Sequence, residues 1–292
     1  MTLHPTIKAY FELHPEQKDS LQTPITPLDQ RPPVQSVEDR MIPSEEYDIP
    51  IRIYTPVGEG PFPLFIFFHG GGWVWGNLET HDVNCRQIAI ESGYKVIAVD
   101  YRLAPKHPFP AASNDCYTVT KWAAEHAREI RGDSTRIVVG GPSAGGNLAA
   151  AVTLMARERK EFSIYKQVLI YPAVDLTGDG EQYPSIKECG RGFGLSIFET
   201  NPYIKEESDS MHPYASPIKA QELTNLPPAL ILTAEYDPLR DEGEAYAAKL
   251  IKAGVHVECK RFKGTIHGFM FHFSELDDYK EGFKMVGLFL KE

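Results

Sequence analysis

Short apolar runs alternate with longer amphipathic stretches along most of this chain. Continuous apolar runs are typical of strands buried on both faces, and parallel strands need crossover helices between them. The pattern therefore predicts an α/β fold with a mostly parallel central sheet and helices on both faces. The predicted strands are 64–68, 95–99, 136–139, 167–171, 229–233 and 255–262, and the predicted helices are 85–91, 111–128, 147–159 and 241–253.

Two regions interrupt this alternation. The first forty residues are punctuated by prolines and carry Ile7, Tyr10 and Phe11 at helical spacing, which predicts one short helix within extended chain. An alternating strand is predicted at about 49–55. Residues 176–225 are rich in glycine, proline, serine and acidic residues and contain no clear strand. We therefore expect a single α/β domain in which the N-terminal stretch lies over the main body and residues 176–225 form an insertion over the strand ends.

Composition narrows the class of protein. The chain has 292 residues, of which 42% are hydrophobic and 24% charged, as in ordinary globular proteins. A net charge of −10 without a basic patch argues against a nucleic-acid partner. The longest strongly apolar stretch, 148–156, is far below the roughly 20 residues of a membrane span. The first residues resemble no export signal, so a cytoplasmic location is expected, with no membrane partner.

The four cysteines are too widely spaced for a zinc or redox motif. Cys85, Cys116, Cys189 and Cys259 include no C-x-x-C pair. We therefore predict four buried, reduced thiols and no metal site.

Ser143 is the candidate nucleophile. It lies in a G-x-S-x-G pattern from Gly141 to Gly145, between a predicted strand and a predicted helix. Such a strand-to-helix turn holds the serine in a strained conformation, and the flanking glycines Gly141 and Gly145 allow strand and helix to approach closely.

A glycine-rich turn after the 64–68 strand is the candidate oxyanion hole. Acyl transfer places negative charge on the carbonyl oxygen, and backbone N–H groups can stabilise that charge. We expect the donors to be Gly71, Gly72 and the N–H of Ala144. His69 and Gly70 are assigned supporting roles, with His69 holding the shape of the turn.

A serine nucleophile needs a base, and the base needs a carboxylate to orient it. In α/β hydrolases the acid follows the serine at the end of a strand. Asp237 fits this place in the turn after 229–233, with Glu235 and Asp241 as alternatives.

Histidine supplies the base. Those that follow Ser143 are His212, His256, His267 and His272. His267 is the one in a loop after a predicted strand, so we assign it as the general base.

Taken together, these motifs resemble the hormone-sensitive-lipase-like (family IV) esterases of the α/β-hydrolase fold. The resemblance implies hydrolysis of carboxylic esters through an acyl-enzyme on Ser143, completed by Asp237 and His267, with no cofactor. It also implies a single α/β-hydrolase domain, 1–292, with a small cap over the site formed by about 1–35 and 176–225. Pro142 departs from the family's usual acidic residue, and we expect altered loop support with activity retained. The matching motifs are HGGGW at 69–73, LETHD at 78–82, VDYRLAP at 99–105, HPFPAA at 107–112, SAGGNL at 143–148, YDPLRDEG at 236–243 and HGF at 267–269.

The aromatic residues Trp73, Trp75 and Phe193 are candidates for a compact apolar pocket. This predicts a serine carboxylesterase acting on small-molecule esters with short to medium acyl chains. The alternatives are an amide or formamide hydrolase with the same triad, a ligand-binding receptor and an interfacial lipase. The oligomeric state is open, with a homodimer as one option.

Overall fold

A single eight-stranded sheet forms the centre of the molecule. The computed structural model describes residues 2–21, 25–177, 182–195 and 201–292. The strand order in this part of the chain is β1-β2-β4-β3-β5-β6-β7-β8. The strands are β1 (Ser36–Ile42), β2 (Ile49–Thr55), β3 (Phe62–Phe68), β4 (Lys95–Val99), β5 (Gly132–Pro142), β6 (Lys166–Ile170), β7 (Ala229–Tyr236) and β8 (Val257–Ile266).

The sheet is parallel from β4 through β8, which places the carboxyl ends of six strands along one edge. The strands β1 and β2 pair antiparallel to each other, and β2 pairs antiparallel to β4. The predicted mostly parallel sheet is confirmed.

Eight α-helices of the described residues surround this sheet. They are α1 (Pro5–Leu13), α2 (Asp82–Ser92), α3 (Ala111–Glu125), α4 (Ala144–Arg159), α5 (Pro184–Cys189), α6 (Arg240–Lys252), α7 (Phe269–His272) and α8 (Asp277–Lys291). Short 3-10 helices lie at Pro15–Gln17, Leu28–Gln30, Ala127–Ile130, Glu207–Met211 and Pro217–Lys219. None of the helices described is long and apolar enough to cross a membrane.

Each face of the sheet carries its own hydrophobic core. Successive side chains of a strand point to opposite faces, and β3 shows this directly. Leu64 and Ile66 belong to the core shared with α3, α4 and α6. Phe65 and Phe67 belong to the core shared with α1, α2 and α8. The predicted helices on both faces are thus confirmed.

The strand β1 and the helix α8 are among the elements that the sequence prediction did not include. The strand β1 is at the sheet edge and is largely exposed, so it carries no apolar signature. The helix α8 does have an apolar stripe, with Tyr279, Phe283, Val286 and Leu290 buried at helical spacing. That spacing could have identified the helix from the sequence.

Two smaller predictions need correction. Cys85, Cys116 and Cys189 are buried, but Cys259 is exposed because it lies on β8, at the other edge of the sheet. His256, predicted to lie within a strand, is exposed and immediately precedes β8.

The predicted cap is described only in part. Residues 22–24, 178–181 and 196–200 of the two predicted cap segments lie outside the described residues. An isolated bridge pairs Ser20 with Leu195 and so joins the two segments. The division of the chain into body and cap stays a prediction.

Candidate active site

Ser143 occupies the sharp turn between β5, which ends at Pro142, and α4, which begins at Ala144. Its φ of 56° and ψ of −119° lie where non-glycine residues are strained. The Ser143 N–H donates to the carbonyl of Ile170 at 2.8 Å, which ties the turn to the end of β6. The serine is therefore held on the rigid edge where the parallel strands end.

The glycines beside the serine are needed because the turn passes very close to β3. A Cβ atom added to Gly141 or to Gly145 would lie 1.9 Å from the carbonyl oxygen of Phe68. Such contacts are far inside van der Waals distance. Gly141 and Gly145 therefore allow the close approach that the pattern predicts.

Asp237 and His267 come together from the ends of two neighbouring strands. Asp237 follows β7, and His267 follows β8. Their Oδ2 and Nδ1 atoms are 2.8 Å apart, and Asp237 is fully buried. Its other oxygen, Oδ1, accepts the N–H of Leu239 at 2.9 Å. The two hydrogen bonds fix the carboxyl group in one orientation against the imidazole.

The end of β6 contacts both the serine and the histidine of this pair. Ile170 accepts the Ser143 N–H, and the ring of the next residue, Tyr171, lies 4.7 Å from the ring of His267. Tyr171 is buried and has a φ of 35°, a backbone conformation that is strained for a residue other than glycine. Sequence reasoning did not identify Tyr171.

The alternative acids have other partners. Glu235 accepts the N–H of Gly264 at 2.6 Å. Asp241 accepts the N–H of Ser185 at 2.8 Å and pairs with Arg240 at 2.7 Å. Both carboxyl groups thus support loops around the site.

The other histidines also lie in different surroundings. His212 accepts the N–H of Tyr214 through Nδ1 at 3.1 Å, and His272 ends α7 among phenylalanine rings. Of the candidates, the structure pairs His267 with Asp237.

The glycine-rich turn after β3 presents two backbone N–H groups whose directions are set by hydrogen bonds to the neighbouring carbonyls. The Gly70 carbonyl lies 2.8 Å from His69 Nδ1, which must donate because a carbonyl only accepts. The Gly71 carbonyl accepts the N–H groups of Val74 and Trp75 at 3.1 and 3.0 Å. In a trans peptide the N–H points away from the carbonyl, so the N–H groups of Gly71 and Gly72 are oriented in turn.

Gly71 has a conformation and a spacing that other residues could not adopt, and Gly72 has a left-handed conformation that glycine favours. Gly71 has a φ of 117° and Gly72 a φ of 59°. A Cβ atom on Gly71 would lie 2.1 Å from the carbonyl oxygen of Trp75. Among the described residues, the N–H groups of Gly71, Gly72 and Ala144 have no backbone acceptor. They are thus available to an oxygen atom of a ligand.

His69 supports this turn from within the protein. Its side chain is buried, and its ring stacks on that of Tyr101 with centroids 4.1 Å apart. Burial lowers the pKa of His69 to about 4. A neutral imidazole with its proton on Nδ1 keeps the bond to Gly70 throughout the neutral pH range.

The three predicted pocket residues have different environments. Trp73 is 3% exposed and stacks on Tyr203, with ring centroids 4.6 Å apart and planes at 2°. Trp75 is 44% exposed, and Phe193 stacks on Tyr236. Trp73 therefore anchors the glycine turn to the second predicted cap segment, whereas Trp75 and Phe193 remain candidates for substrate contact.

An eight-stranded, mostly parallel sheet with a serine at a strand-to-helix turn defines the class of α/β hydrolases. A family model described as the alpha/beta hydrolase fold matches residues 65–271, and the chain belongs to this family. The predicted fold class and the resemblance to hormone-sensitive-lipase-like esterases are confirmed.

Proteins similar to this chain come from bacteria and archaea. An arylesterase of Saccharolobus solfataricus is 41% identical over 243 residues, which are 82% of this chain and 78% of that protein. An ethyl acetate hydrolase of Pseudomonas putida is 36% identical over 82% of this chain and 77% of that protein. The solved structure of a hyperthermophilic esterase from the archaeon Pyrobaculum calidifontis is 39% identical, with a TM-score of 0.89 over 100% of this chain and 98% of that one.

Proposed function

We propose that this protein is a serine carboxylesterase that hydrolyses small-molecule esters through an acyl-enzyme on Ser143. The observation that carries the proposal is the 2.8 Å bond between His267 Nδ1 and the buried Asp237, at the same sheet edge as the strained serine. The class of enzyme, carboxylic ester hydrolase, is confirmed by relatives named arylesterase and ethyl acetate hydrolase.

The Asp237 bond determines which nitrogen of His267 acts as the base. A carboxylate only accepts, so His267 carries its proton on Nδ1 and leaves the Nε2 lone pair free. In the proposed reaction, Nε2 takes the proton of Ser143 while the serine oxygen attacks the ester carbonyl. The proton then passes to the departing alkoxide, which leaves as the alcohol.

The second half of the reaction regenerates the enzyme. Water attacks the acyl-enzyme and gives its proton to His267, and the acid product leaves when the proton returns to the serine. In both halves the negative oxygen of the tetrahedral intermediate would bind the N–H groups of Gly71, Gly72 and Ala144. Loss of one such donor typically costs about 3 kcal/mol of transition-state stabilisation.

We further propose a preference for short to medium acyl chains. Phe193, from the second predicted cap segment, stacks on Tyr236, which directly precedes Asp237. This aromatic pair, of which Tyr236 is next to Asp237 in the chain, supports a compact pocket with limited room for a long chain. The relative named ethyl acetate hydrolase acts on a short ester, which supports the same proposal.

A Ser143→Ala variant tests the nucleophile, with Ser92→Ala as the matched control. Ser92 is buried in α2 and donates to the carbonyl of Ile88, well away from the proposed site. Hydrolysis of p-nitrophenyl butyrate should be abolished by Ser143→Ala and unchanged by Ser92→Ala. Turnover retained by Ser143→Ala would refute the acyl-enzyme.

A series of p-nitrophenyl esters from acetate to palmitate tests the substrate range. We expect kcat/KM to be highest for short to medium chains and to fall for long ones. Matched anilides, measured beside the esters, distinguish esterase from amidase activity. Faster cleavage of the anilide would overturn the assignment in favour of an amide hydrolase.

A further inference from the structure

The peptide group that joins His69 to Gly70 is held at both ends by buried side chains outside the proposed triad. Its carbonyl oxygen, on His69, accepts the hydroxyl of Tyr101 at 2.8 Å. Its N–H, on Gly70, donates to Nε2 of His81 at 3.2 Å. This peptide immediately precedes the one that carries the N–H of Gly71.

The hydrogen bonds around His81 identify its tautomer. The Thr80 hydroxyl donates to the Asn77 carbonyl at 2.9 Å, so toward His81 it can only accept. His81 Nδ1 lies 2.9 Å from that hydroxyl and therefore carries the proton. The lone pair of Nε2 is then free to accept the N–H of Gly70.

His81 is built into the core. It is 3% exposed, and its ring lies 4.3 Å from that of Phe271 and 5.5 Å from that of His69. Burial lowers the pKa of His81 well below its ordinary value. The imidazole therefore stays neutral and keeps its acceptor over the working range of an esterase.

Tyr101 holds the other end by two contacts. Its hydroxyl donates to the His69 carbonyl, and its ring stacks on the His69 ring at 4.1 Å. Burial raises the pKa of Tyr101 well above its ordinary value, so the hydroxyl keeps its proton.

A peptide fixed at both ends cannot rotate about the chain axis. Each peptide plane constrains the next through the Cα atom they share, and a glycine without a side chain offers little resistance of its own. Without these contacts, the Gly70 turn could reorient and carry the N–H of Gly71 away from the oxyanion. Hydrogen-bond donors that are already oriented toward the oxyanion stabilise its developing charge and so lower the activation free energy.

We propose that His81 and Tyr101 are positioning residues that preorganise the oxyanion hole by holding the peptide before Gly71. The inference rests on the proposed function. Neither side chain touches the reacting atoms; both act through the backbone. Their effect should fall on the transition state and leave substrate binding almost unchanged.

The test compares four variants by kcat and KM on p-nitrophenyl butyrate. His81→Leu removes the acceptor, and His81→Gln returns an acceptor at nearly the same reach. Tyr101→Phe removes the hydroxyl. Tyr94→Phe is the matched control, because Tyr94 is also buried and donates to a backbone carbonyl, that of Leu290, at 2.9 Å far from the turn.

We expect kcat to fall roughly tenfold to a hundredfold in His81→Leu, less than the ~100- to 1000-fold loss of a whole donor. KM should stay within about threefold, because ground-state contacts are unchanged. His81→Gln should recover most of the loss, Tyr101→Phe should reduce kcat less than His81→Leu, and Tyr94→Phe should match the wild type. Inhibition by butylboronic acid, whose adduct on Ser143 mimics the intermediate, should weaken in parallel with kcat.

Wild-type kcat and boronate affinity in His81→Leu and Tyr101→Phe would overturn the proposal. Equal loss in His81→Gln and His81→Leu, with a lowered melting temperature and unchanged boronate affinity, would also overturn it and assign a purely structural role. If His81→Leu does not fold, Tyr101→Phe against Tyr94→Phe decides. Activity retained by Ser143→Ala would instead refute the proposed function, so the two failures are distinguishable.

Discussion

Replacing Asp237 by Asn tests the charge of the proposed triad while preserving its shape. The N–H of Leu239 donates to Oδ1 at 2.9 Å, so the amide oxygen of an asparagine must take that position. The amide NH₂ then occupies the Oδ2 position, 2.8 Å from His267 Nδ1. Because an NH₂ group only donates, His267 must accept there and carry its proton on Nε2.

That tautomer cannot take the proton of Ser143. An Asp-to-Asn change of this kind in a serine hydrolase lowers kcat by about 10⁴, equivalent to about 5 kcal/mol of activation free energy. We expect a loss of this size in kcat for p-nitrophenyl butyrate, with a melting temperature close to that of the wild type. The loss of kcat should arise from the changed tautomer of His267, since the side chain keeps its volume and both hydrogen bonds, the one to His267 with its direction reversed.

Asp241→Asn is the matched control. Asp241 also accepts a backbone N–H, that of Ser185 at 2.8 Å, and lies four residues further along the chain. It should keep kcat within about threefold, since the partners of its carboxyl group are Ser185 and Arg240 and not Ser143 or His267. If Asp237→Asn kept more than a tenth of the wild-type kcat, the tautomer argument would be wrong.

Two further predictions concern stability. Burial raises the pKa of Glu242 from 4.5 to about 8. The N–H groups of Val174 and Asp175, which donate to its carboxyl group, lower the pKa but only partly offset the effect of burial. The unfolded chain then loses this proton first as pH rises, so up to about 5 kcal/mol of stability is lost between pH 4.5 and 8. Glu242→Gln should flatten that part of the stability curve measured by urea unfolding, and an unchanged slope would contradict the assignment. Gly145→Ala should destabilise by about 1–3 kcal/mol or more, because its Cβ would meet the Phe68 carbonyl at 1.9 Å. Gly243→Ala, whose nearest contact is 3.4 Å, should show no such loss in the same assay.

The residues proposed for catalysis could be selected from the sequence because each has a strong local signal. A serine between glycines after an apolar run, a histidine in a loop after a strand and a row of three glycines are patterns whose chemistry is set by neighbours in sequence. Cys259 could not be placed in the same way. Its exposure depends on β8 being an edge strand, and no local pattern states which strand is last.

The contacts around the glycine turn and around His267 could not be predicted from local patterns either. Tyr203 stacks on Trp73, 130 residues away in the sequence, and Tyr171 lies against His267, 96 residues away. His81 lies within a motif that the sequence does reveal, but its bond to Gly70 depends on how the chain returns after the turn. Such contacts form only when the fold brings together segments that are separate in the sequence.

The sequence by itself determined the class of fold and the order in which the candidate serine, acid and histidine follow one another along the chain. The spacing of apolar residues and the turn-forming residues act over a few neighbouring positions, so the sequence alone is enough to recognise them. Only the tertiary structure decided which acid faces His267, which side chains hold the glycine turn after β3 and which pocket candidate is buried. Those outcomes depend on hydrogen bonds and packing between residues far apart in the chain, where direction and distance, absent from the sequence, determine the energy.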